Sequence, residues 1–436
     1  MSAATWSNWD GRQRCAPQLI ERPRDVDELR GALDHARAAG RRVRVAGSGH
    51  SFTGLAVTDG VQISLERMTQ VLAVDPTSGL VQVEAGITIG ALNAALDRHG
   101  LALENLGDID RQSLAGATAT GTHGTGRRLG NLSSQLREVE LMTADGTLLT
   151  LDATRDPDAW RAARVSLGAL GVITSLTLQT VPAYRLRGVD GPAPLEATLE
   201  QLDRLAETHD HFELYWFPYS PTALLRRNDR TEAAVTPRSR VRAHLEDIVL
   251  VNHGLSVLSR LGRRAPRLIP RLNRLATRAA GCSDRVDVSH RIFVSPRLVR
   301  FTEMEYAIPR AHAAEAVRAI RGELERRRPP VNFPIEVRFV AADDALLSPA
   351  YGRDSCYIAV HVFDRMEYET YFRLVEEIMV GLDGRPHWGK RHGQTAATLA
   401  PRYPEWERFQ AVRARLDPEG VFGNDELERV LGPVGG

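Results

Sequence analysis

Lysine is almost missing from this 436-residue chain: of its 56 basic residues, 55 are arginine and one, Lys390, is lysine. A bias of that kind replaces lysine wherever arginine serves equally, so the survivor marks a place where a compact ammonium is wanted and a planar guanidinium is not. Cysteine is scarce as well. Cys15, Cys282 and Cys356 stand far apart, which excludes a paired-cysteine metal knuckle and fits a reducing cytoplasm better than secretion. No metal site is expected. No apolar run is long enough to span a membrane, and the first residues lack a basic start followed by an apolar core, so neither a transmembrane segment nor a leader is expected and the protein is assigned to the cytoplasm. The formal charge is only +1, which leaves no electrostatic footprint for nucleic acid.

Against these absences, glycine is concentrated in two places. Residues 41–45 alternate polar and apolar side chains and predict a short strand. It runs into Gly47-Ser48-Gly49-His50-Ser51-Phe52-Thr53-Gly54, where the glycines permit a tight turn and successive backbone N–H groups form a cradle for a pyrophosphate. The loop matches neither the dinucleotide fingerprint, which needs a third glycine at Phe52, nor the P-loop, which needs Gly-Lys-Ser/Thr. The second run, residues 113–126, is Ser-Leu-Ala-Gly-Ala-Thr-Ala-Thr-Gly-Thr-His-Gly-Thr-Gly. It is read as a loop small enough for a planar ligand or phosphate to lie against its backbone. Two such segments suggest one long cofactor.

Gly47-Ser48-Gly49-His50-Ser51 together with Gly121-Thr122-His123-Gly124 resembles the flavin domain of the vanillyl-alcohol-oxidase-like flavoproteins. Within them the match is to the aldonolactone oxidases and dehydrogenases acting on L-gulono-1,4-lactone and D-arabinono-1,4-lactone. The resemblance implies an α+β protein with a two-subdomain PCMH-type FAD-binding domain and an α+β substrate (cap) domain built on a mainly antiparallel sheet. It implies FAD bound by Gly47, Ser48, Gly49, His50, Ser51, Ser113, Gly116, Thr120, Gly121, His123, Gly124 and Val172, and bonded covalently through His50.

Taken in order, the pattern predicts helices over 25–39 and 89–98 and strands over 61–65, 71–74, 80–85, 136–143, 147–151 and 172–181, ending at Pro182. Residues 1–182 are therefore assigned to the flavin domain, 183–384 to the cap and 385–436 to a segment returning to the flavin site. In the cap, strands are predicted over 211–217, 301–306, 335–340 and 356–361, and helices over 312–326 and 369–379; the stretch after 217 is weakly patterned. Residues 260–278 carry seven arginines among leucines. A solvated helix face is the favoured reading and a membrane-surface helix the other.

Alternate residues of a strand share a face, so Glu336 and Arg338 project together from a strand flanked by apolar residues, where unpaired charge is costly. A Glu-x-Arg pair at this point resembles the substrate wall of the lactone oxidases. Arg385-Pro386-His387-Trp388-Gly389-Lys390 resembles their His-Trp-x-Lys signature, with Lys390 expected to reach the reacting centre. In 416–424 the family pattern has a bulkier residue where Gly423 stands, implying looser packing there.

From the resemblance, Glu336, Arg338 and Lys390 are expected to be catalytic and Ser113 to touch substrate; His361 and His387 are candidates for substrate contact, with placement in the core or behind the site the other reading. The expected reaction is oxidation of the secondary alcohol of a sugar lactone, with oxygen or an electron carrier as the final acceptor. Oxidation of an open-chain alditol such as xylitol, or plain sugar binding, are the other readings.

Overall fold

Asp25 opens the first helix by accepting the N–H groups of Asp27 and Glu28, and the helix Val26–Ala38 then buries Leu29, Leu33 and Ala36. Its role is to carry the chain across one side of a small sheet, so that strands Leu19–Glu21 and Val43–Ala46 both lie parallel to Val61–Ser64. The computed structural model describes residues 5–237, 253–295 and 297–435. Beyond the three-stranded sheet lies an antiparallel five-stranded one, in the order Leu148–Asp152, Leu136–Met142, Val172–Gln179, Leu80–Glu84, Val71–Asp75. The second glycine run departs from expectation. Residues Leu114–Ala119 form a short helix behind Ser113, because the alanines interleaved with Gly116 favour helix more than the glycine opposes it.

An eight-stranded antiparallel sheet follows. Its order is Ser283–Val288, Arg185–Pro194, Thr222–Thr231, His211–Trp216, Ile335–Val340, Ser355–Phe363, Phe301–Pro309, Arg385–Pro386. The first three strands escape the sequence reading, since Arg185–Pro194 holds two glycines and two prolines. Partners on both sides, Thr222–Thr231 and Ser283–Val288, hold it extended regardless. Part of the weakly patterned stretch, residues 238–252, lies outside the described residues.

Alternation decides which face of this sheet does what. Leu214, Met304, Ile335, Val337, Ile358 and Val360 point into a core shared with helices Ala313–Arg327 and Glu369–Gly381. Glu213, Tyr215, Glu303, Glu305, Glu336, Arg338 and His361 occupy the intervening positions, on the opposite face. The single helix expected near 260–278 is two, Gly254–Arg264 and Ile269–Ala279, broken by Pro266 at a 3-10 turn, Pro266–Leu268.

The chain's end returns to the first sheets: Phe409, Phe422, Leu427 and Val430 share a core with Leu29, Val43 and Val61. Gly423 is tight rather than loose. A Cβ there would stand 2.9 Å from the Gly420 carbonyl oxygen, so a bulkier residue would require the turn to shift. At the centre of this closure is Arg44, fully buried. Its guanidinium donates to the carbonyls of Leu55 at 2.6 Å, Gly168 at 2.9 Å, Leu167 at 2.8 Å and Phe422 at 2.5 Å. Burial lowers its pKa to about 9, with Arg413 adding to the effect, and it remains charged at neutral pH. Replacing Arg44 with Met removes all four donors, and each buried acceptor left unpaired costs roughly 1–3 kcal/mol. The R44M protein is expected to lose at least about 3 kcal/mol of stability, measured by urea unfolding; a loss below about 1 kcal/mol would show that the carbonyls find other partners.

Candidate active site

The first glycine loop, the helix behind Ser113 and residues 167–173 surround a cleft of about 340 Å³. Its lining includes Gly47, Ser48, Gly49, His50, Ser51, Ser113, Gly116 and Thr120. The glycines are spatial requirements here. A Cβ on Gly47 would stand 2.2 Å from the Ser113 hydroxyl oxygen, and one on Gly86, also in the lining, 1.9 Å from the Leu65 carbonyl oxygen. Gly49 adopts φ +71°. Among the described residues, no protein acceptor meets the backbone N–H groups of residues 48–51. A narrow cleft floored by backbone, with free N–H donors at one end, fits an extended dinucleotide such as FAD.

His50, Ser51, Gln112 and Thr120 also line a second, smaller cavity of about 60 Å³. Its lining includes the aromatic rings of Trp9, Phe52 and Phe301 and the polar side chains of Asp108, His123, Glu305, Arg338, His387 and Lys390. The loop 387–390 is locked onto the first glycine loop, where Phe52 N–H donates to the Gly389 carbonyl at 2.7 Å and the Thr53 hydroxyl to the Trp388 carbonyl at 3.3 Å, and onto the cap, where the Trp388 indole N–H donates to the Leu347 carbonyl at 2.6 Å.

The charges around this cavity are buried, and each is paired. Lys390 Nζ lies 2.5 Å from Glu303 Oε2, and His361 Nε2 is 3.4 Å from the other Glu303 oxygen. Burial opposes the ammonium, but Glu303 and Glu305 outweigh it and raise the Lys390 pKa. Burial likewise works against the Glu303 carboxylate, yet Lys390 and His361 bring it down to about 2. Glu305, 3.3 Å from His123 Nε2, is held low by His123 and Lys390 against its burial.

Arg338 is clasped by three carboxylates: Glu213 at 2.7 Å, Asp108 at 3.6 Å, and Glu336. The register puts Glu213 beside Arg338, and Tyr215 beside Glu336, on neighbouring strands. The Tyr215 hydroxyl donates to Glu336 at 2.9 Å. Burial pushes the Glu336 pKa up to about 7; Arg338 opposes this, and Glu213 and Asp108 reinforce it. Burial takes His387 down to about 3, and its Nδ1 accepts the Gly389 N–H at 3.0 Å. Its other nitrogen therefore carries the proton as a donor. His50, stacked on Trp9 with ring centroids 6.0 Å apart, falls to about 4 through burial and the charges of Lys390 and Arg111. Its imidazole is neutral at pH 7.

Arg338, Lys390, His387 and His123 thus face the small cavity. Glu336 and His361 stand behind it, the first gripping Arg338 and the second gripping Glu303. Ser113, expected to touch both cofactor and substrate, lines the large cleft only. Val172 lines neither: its side chain is in the core, and Gly171 and Ile173 on either side line the cleft. Gly121 and Gly124 serve the turn. Gly121 has φ +73°, and a Cβ on Gly124 would stand 2.4 Å from Asn105 Oδ1.

Sequence reasoning missed Asp108, Glu213, Glu303 and Glu305. The last two were findable, because Glu303 and Glu305 obey the same alternate-residue rule that singles out Glu336 and Arg338. The ligand-type atoms of His123, Glu305 and His387 come within 4.8 Å of one another. The His123–Glu305 pair accounts for much of that closeness without a metal.

Comparison with known proteins agrees with this geometry. The family model described as D-arabinono-1,4-lactone oxidase matches residues 176–430, and that of an FAD binding domain matches residues 17–152. Over 432 residues the chain is 51% identical to the L-gulono-1,4-lactone dehydrogenase of Mycobacterium tuberculosis, covering 98% of this chain and 99% of that one. It is 36% identical to the L-gulonolactone oxidase of Bos taurus, with 98% of each covered. A solved structure of a solvent-stable cholesterol oxidase superposes with a TM-score of 0.84 over 98% of this chain and 97% of that one, at 19% identity, a likeness of fold alone. Fold and family together define an FAD-dependent oxidoreductase with a PCMH-type flavin domain. Within that class, the chain belongs to the aldonolactone oxidase family.

Breaking the Lys390–Glu303 pair tests the electrostatics directly. Removing one partner of a buried ion pair costs roughly 3–5 kcal/mol. Glu303 is held below its ordinary value, so its stabilisation is present above pH about 4.5 and fades as the pH falls toward 2. Glu303→Gln is expected to be clearly less stable than the parent at pH 7, with the gap narrowing at pH 3 when both are unfolded in urea. An equal gap at both pH values would refute the assignment.

Proposed function

We propose that the protein oxidises a ring hydroxyl of a sugar 1,4-lactone, L-gulono-, L-galactono- or D-arabinono-1,4-lactone, to a 2-keto lactone that enolises to an ascorbate-like enediol. The observation carrying this reading is the small cavity that shares His50, Ser51, Gln112 and Thr120 with the cofactor cleft and is walled by two cations and two carboxylates. A polyhydroxylated ring of modest size has donors and acceptors on every edge, and this wall offers partners for both. The names of the relatives point to the same substrate class. In this reading residues 1–182 hold the cofactor, 183–384 supply the substrate wall, and 385–436 bring Lys390 back to the flavin side.

FAD supplies the hydride acceptor. Arg338 and Lys390 place positive charge beside the reacting hydroxyl, which lowers its pKa and favours loss of its proton. Glu305 and Asp108 accept hydrogen bonds from other hydroxyls, and the protonated nitrogen of His387 donates one. Glu336 holds Arg338 in position from behind, and with a pKa near 7 its ionisation governs, at neutral pH, the pairing that orients Arg338 toward the cavity. Trp9, Phe52 and Phe301 supply the apolar part of the lining, which disfavours water. The neutral imidazole of His50 keeps a nitrogen lone pair available for a covalent bond to the flavin, so the cofactor is read as tethered there.

Three measurements test this reading. Purified protein given the three lactones and xylitol, with peroxide and reduction of a dye followed in parallel, should turn over a lactone in preference to xylitol. Preference for xylitol would move the substrate to the alditols, and the peroxide-to-dye ratio identifies the acceptor as oxygen or a carrier. For the parent, kcat/KM is expected to rise through pH about 7 as Glu336 ionises, whereas Glu336→Gln, at least about 100-fold slower, should lose that limb; a variant retaining it would remove Glu336 from the role. Acid-precipitated parent protein should keep its yellow colour and His50→Ala should not; colour lost by both would mean the flavin is not tethered.

A further inference from the structure

The helix pair Gly254–Arg264 and Ile269–Ala279 anchors to the cap core through Ile269 and Leu255, yet the rest of its buried side is small and polar. Ser259 and Gly262 of the first helix and Asn273 and Thr277 of the second are buried against the cap. Asn332 donates its side-chain N–H to the Ser259 carbonyl at 3.0 Å, and Asn273 donates to the Val331 and Pro218 carbonyls at 3.0 and 2.9 Å. Both helices therefore turn their small polar residues toward the same strip of chain at 331–332. The opposite sides face solvent and carry large apolar side chains among their arginines: Val257 and Leu275 are each 54% exposed and Leu261 46%, with Leu268 of the turn between the helices 43%. Four of the ten exposed large apolar side chains among the described residues fall between Val257 and Leu275, so they form a concentration rather than normal scatter.

Charge says what covers them. From Gly254 to Cys282 there are seven arginines and no aspartate or glutamate. Arg263 and Arg274 donate to the backbone carbonyls of Asp364 and Tyr219 and fasten the helices down. Arg260, Arg264, Arg267, Arg271 and Arg278 are exposed, and among the described residues none has an acidic partner. At 100° per residue, Val257 and Leu261 share a face with Arg260 and Arg264, and Leu275 shares one with Arg271 and Arg278. Leucines flanked by unpaired guanidinium groups are the pattern of a helix lying in the plane of an anionic lipid surface. No helix among the described residues is long and apolar enough to cross a membrane, and surface docking needs none.

We propose that this helix pair docks the protein on an anionic bilayer, the leucines entering the headgroup boundary and the five arginines pairing with lipid phosphates. The full chain is mixed with sedimentable vesicles of phosphatidylcholine alone or with about one-third phosphatidylglycerol. It should pellet only with the second and be released by ~0.5 M salt, where screening is strong. Leu261→Ser/Leu275→Ser should weaken partition at least about tenfold. Arg260→Gln/Arg264→Gln/Arg271→Gln/Arg278→Gln should weaken it at least about 100-fold, at roughly fivefold per arginine. Both variants should retain bound flavin and turnover in solution, which shows that they fold. Parent protein left in the supernatant with both vesicle types would overturn the proposal, as would variants that sediment like the parent. So would light scattering that shows a dimer which the leucine variant dissociates without any vesicle binding, assigning the face to a second copy. Capture of the protein by an acidic polypeptide such as polyglutamate, with no binding to anionic vesicles, would equally sink it.

Discussion

Charge buried on one face of a sheet has to be neutralised locally; Arg338 finds Glu213 and Glu336 within the sheet, and further partners come from outside it. Lys390 arrives on the returning C-terminal loop to meet Glu303, His123 comes from the second glycine run to meet Glu305, and Asp108 comes from the loop before it to meet Arg338. Isolated buried ions cost several kcal/mol each, so the sheet and the flavin-side loops are each unfavourable without the other. The same ion pairs therefore close the cap onto the cofactor cleft and arrange the cavity wall. Structure and chemistry rest on one set of contacts.

Arg44 plays a comparable part behind the cleft, with neutral partners. Its planar fork reaches four carbonyls on three separate segments, including the C-terminal turn at Phe422. It sits three residues before Gly47, so the strand that aims the glycine loop is also the strand that anchors the chain's end. The two cavities meet at His50 and Thr120. A ligand in the small one consequently lies against whatever the large one holds.

Local pattern made much of the fold legible. Helices Val26–Ala38, Ile89–Arg98, Ala313–Arg327 and Glu369–Gly381 lie within a residue or two of their expected limits, because each has an apolar stripe at helical spacing, and Asp25 and Thr88 also cap the first two. Where the pattern and the outcome part, long-range contacts decide. Arg185–Pro194 reads as irregular and becomes a strand through two partners, and Val257, Leu261 and Leu275 of the helix pair face outward because the inner side is fixed by the amides of Asn273 and Asn332, which meet buried carbonyls. The site divides the same way. Glu336 and Arg338 are visible as alternate residues of one strand, but that Arg338 fronts the cavity while Glu336 backs it is a matter of three-dimensional placement.

Composition by itself singled out the lone lysine, and the resemblance carried by Gly47–Ser51, Gly121–Gly124, Glu336-x-Arg338 and His387-Trp388-Gly389-Lys390 pointed, without coordinates, to an α+β flavoprotein of the aldonolactone oxidase type. Those properties are written in local periodicity, in glycines where a side chain cannot fit, and in short runs of residues. Only the tertiary structure decided which carboxylates answer which cations, that Glu303 is the partner of Lys390, and that Val172 lies in the core while Gly171 and Ile173 line the cleft. Pairing of buried charge depends on distances of a few ångströms between residues hundreds of positions apart, and sequence separation carries no record of those distances.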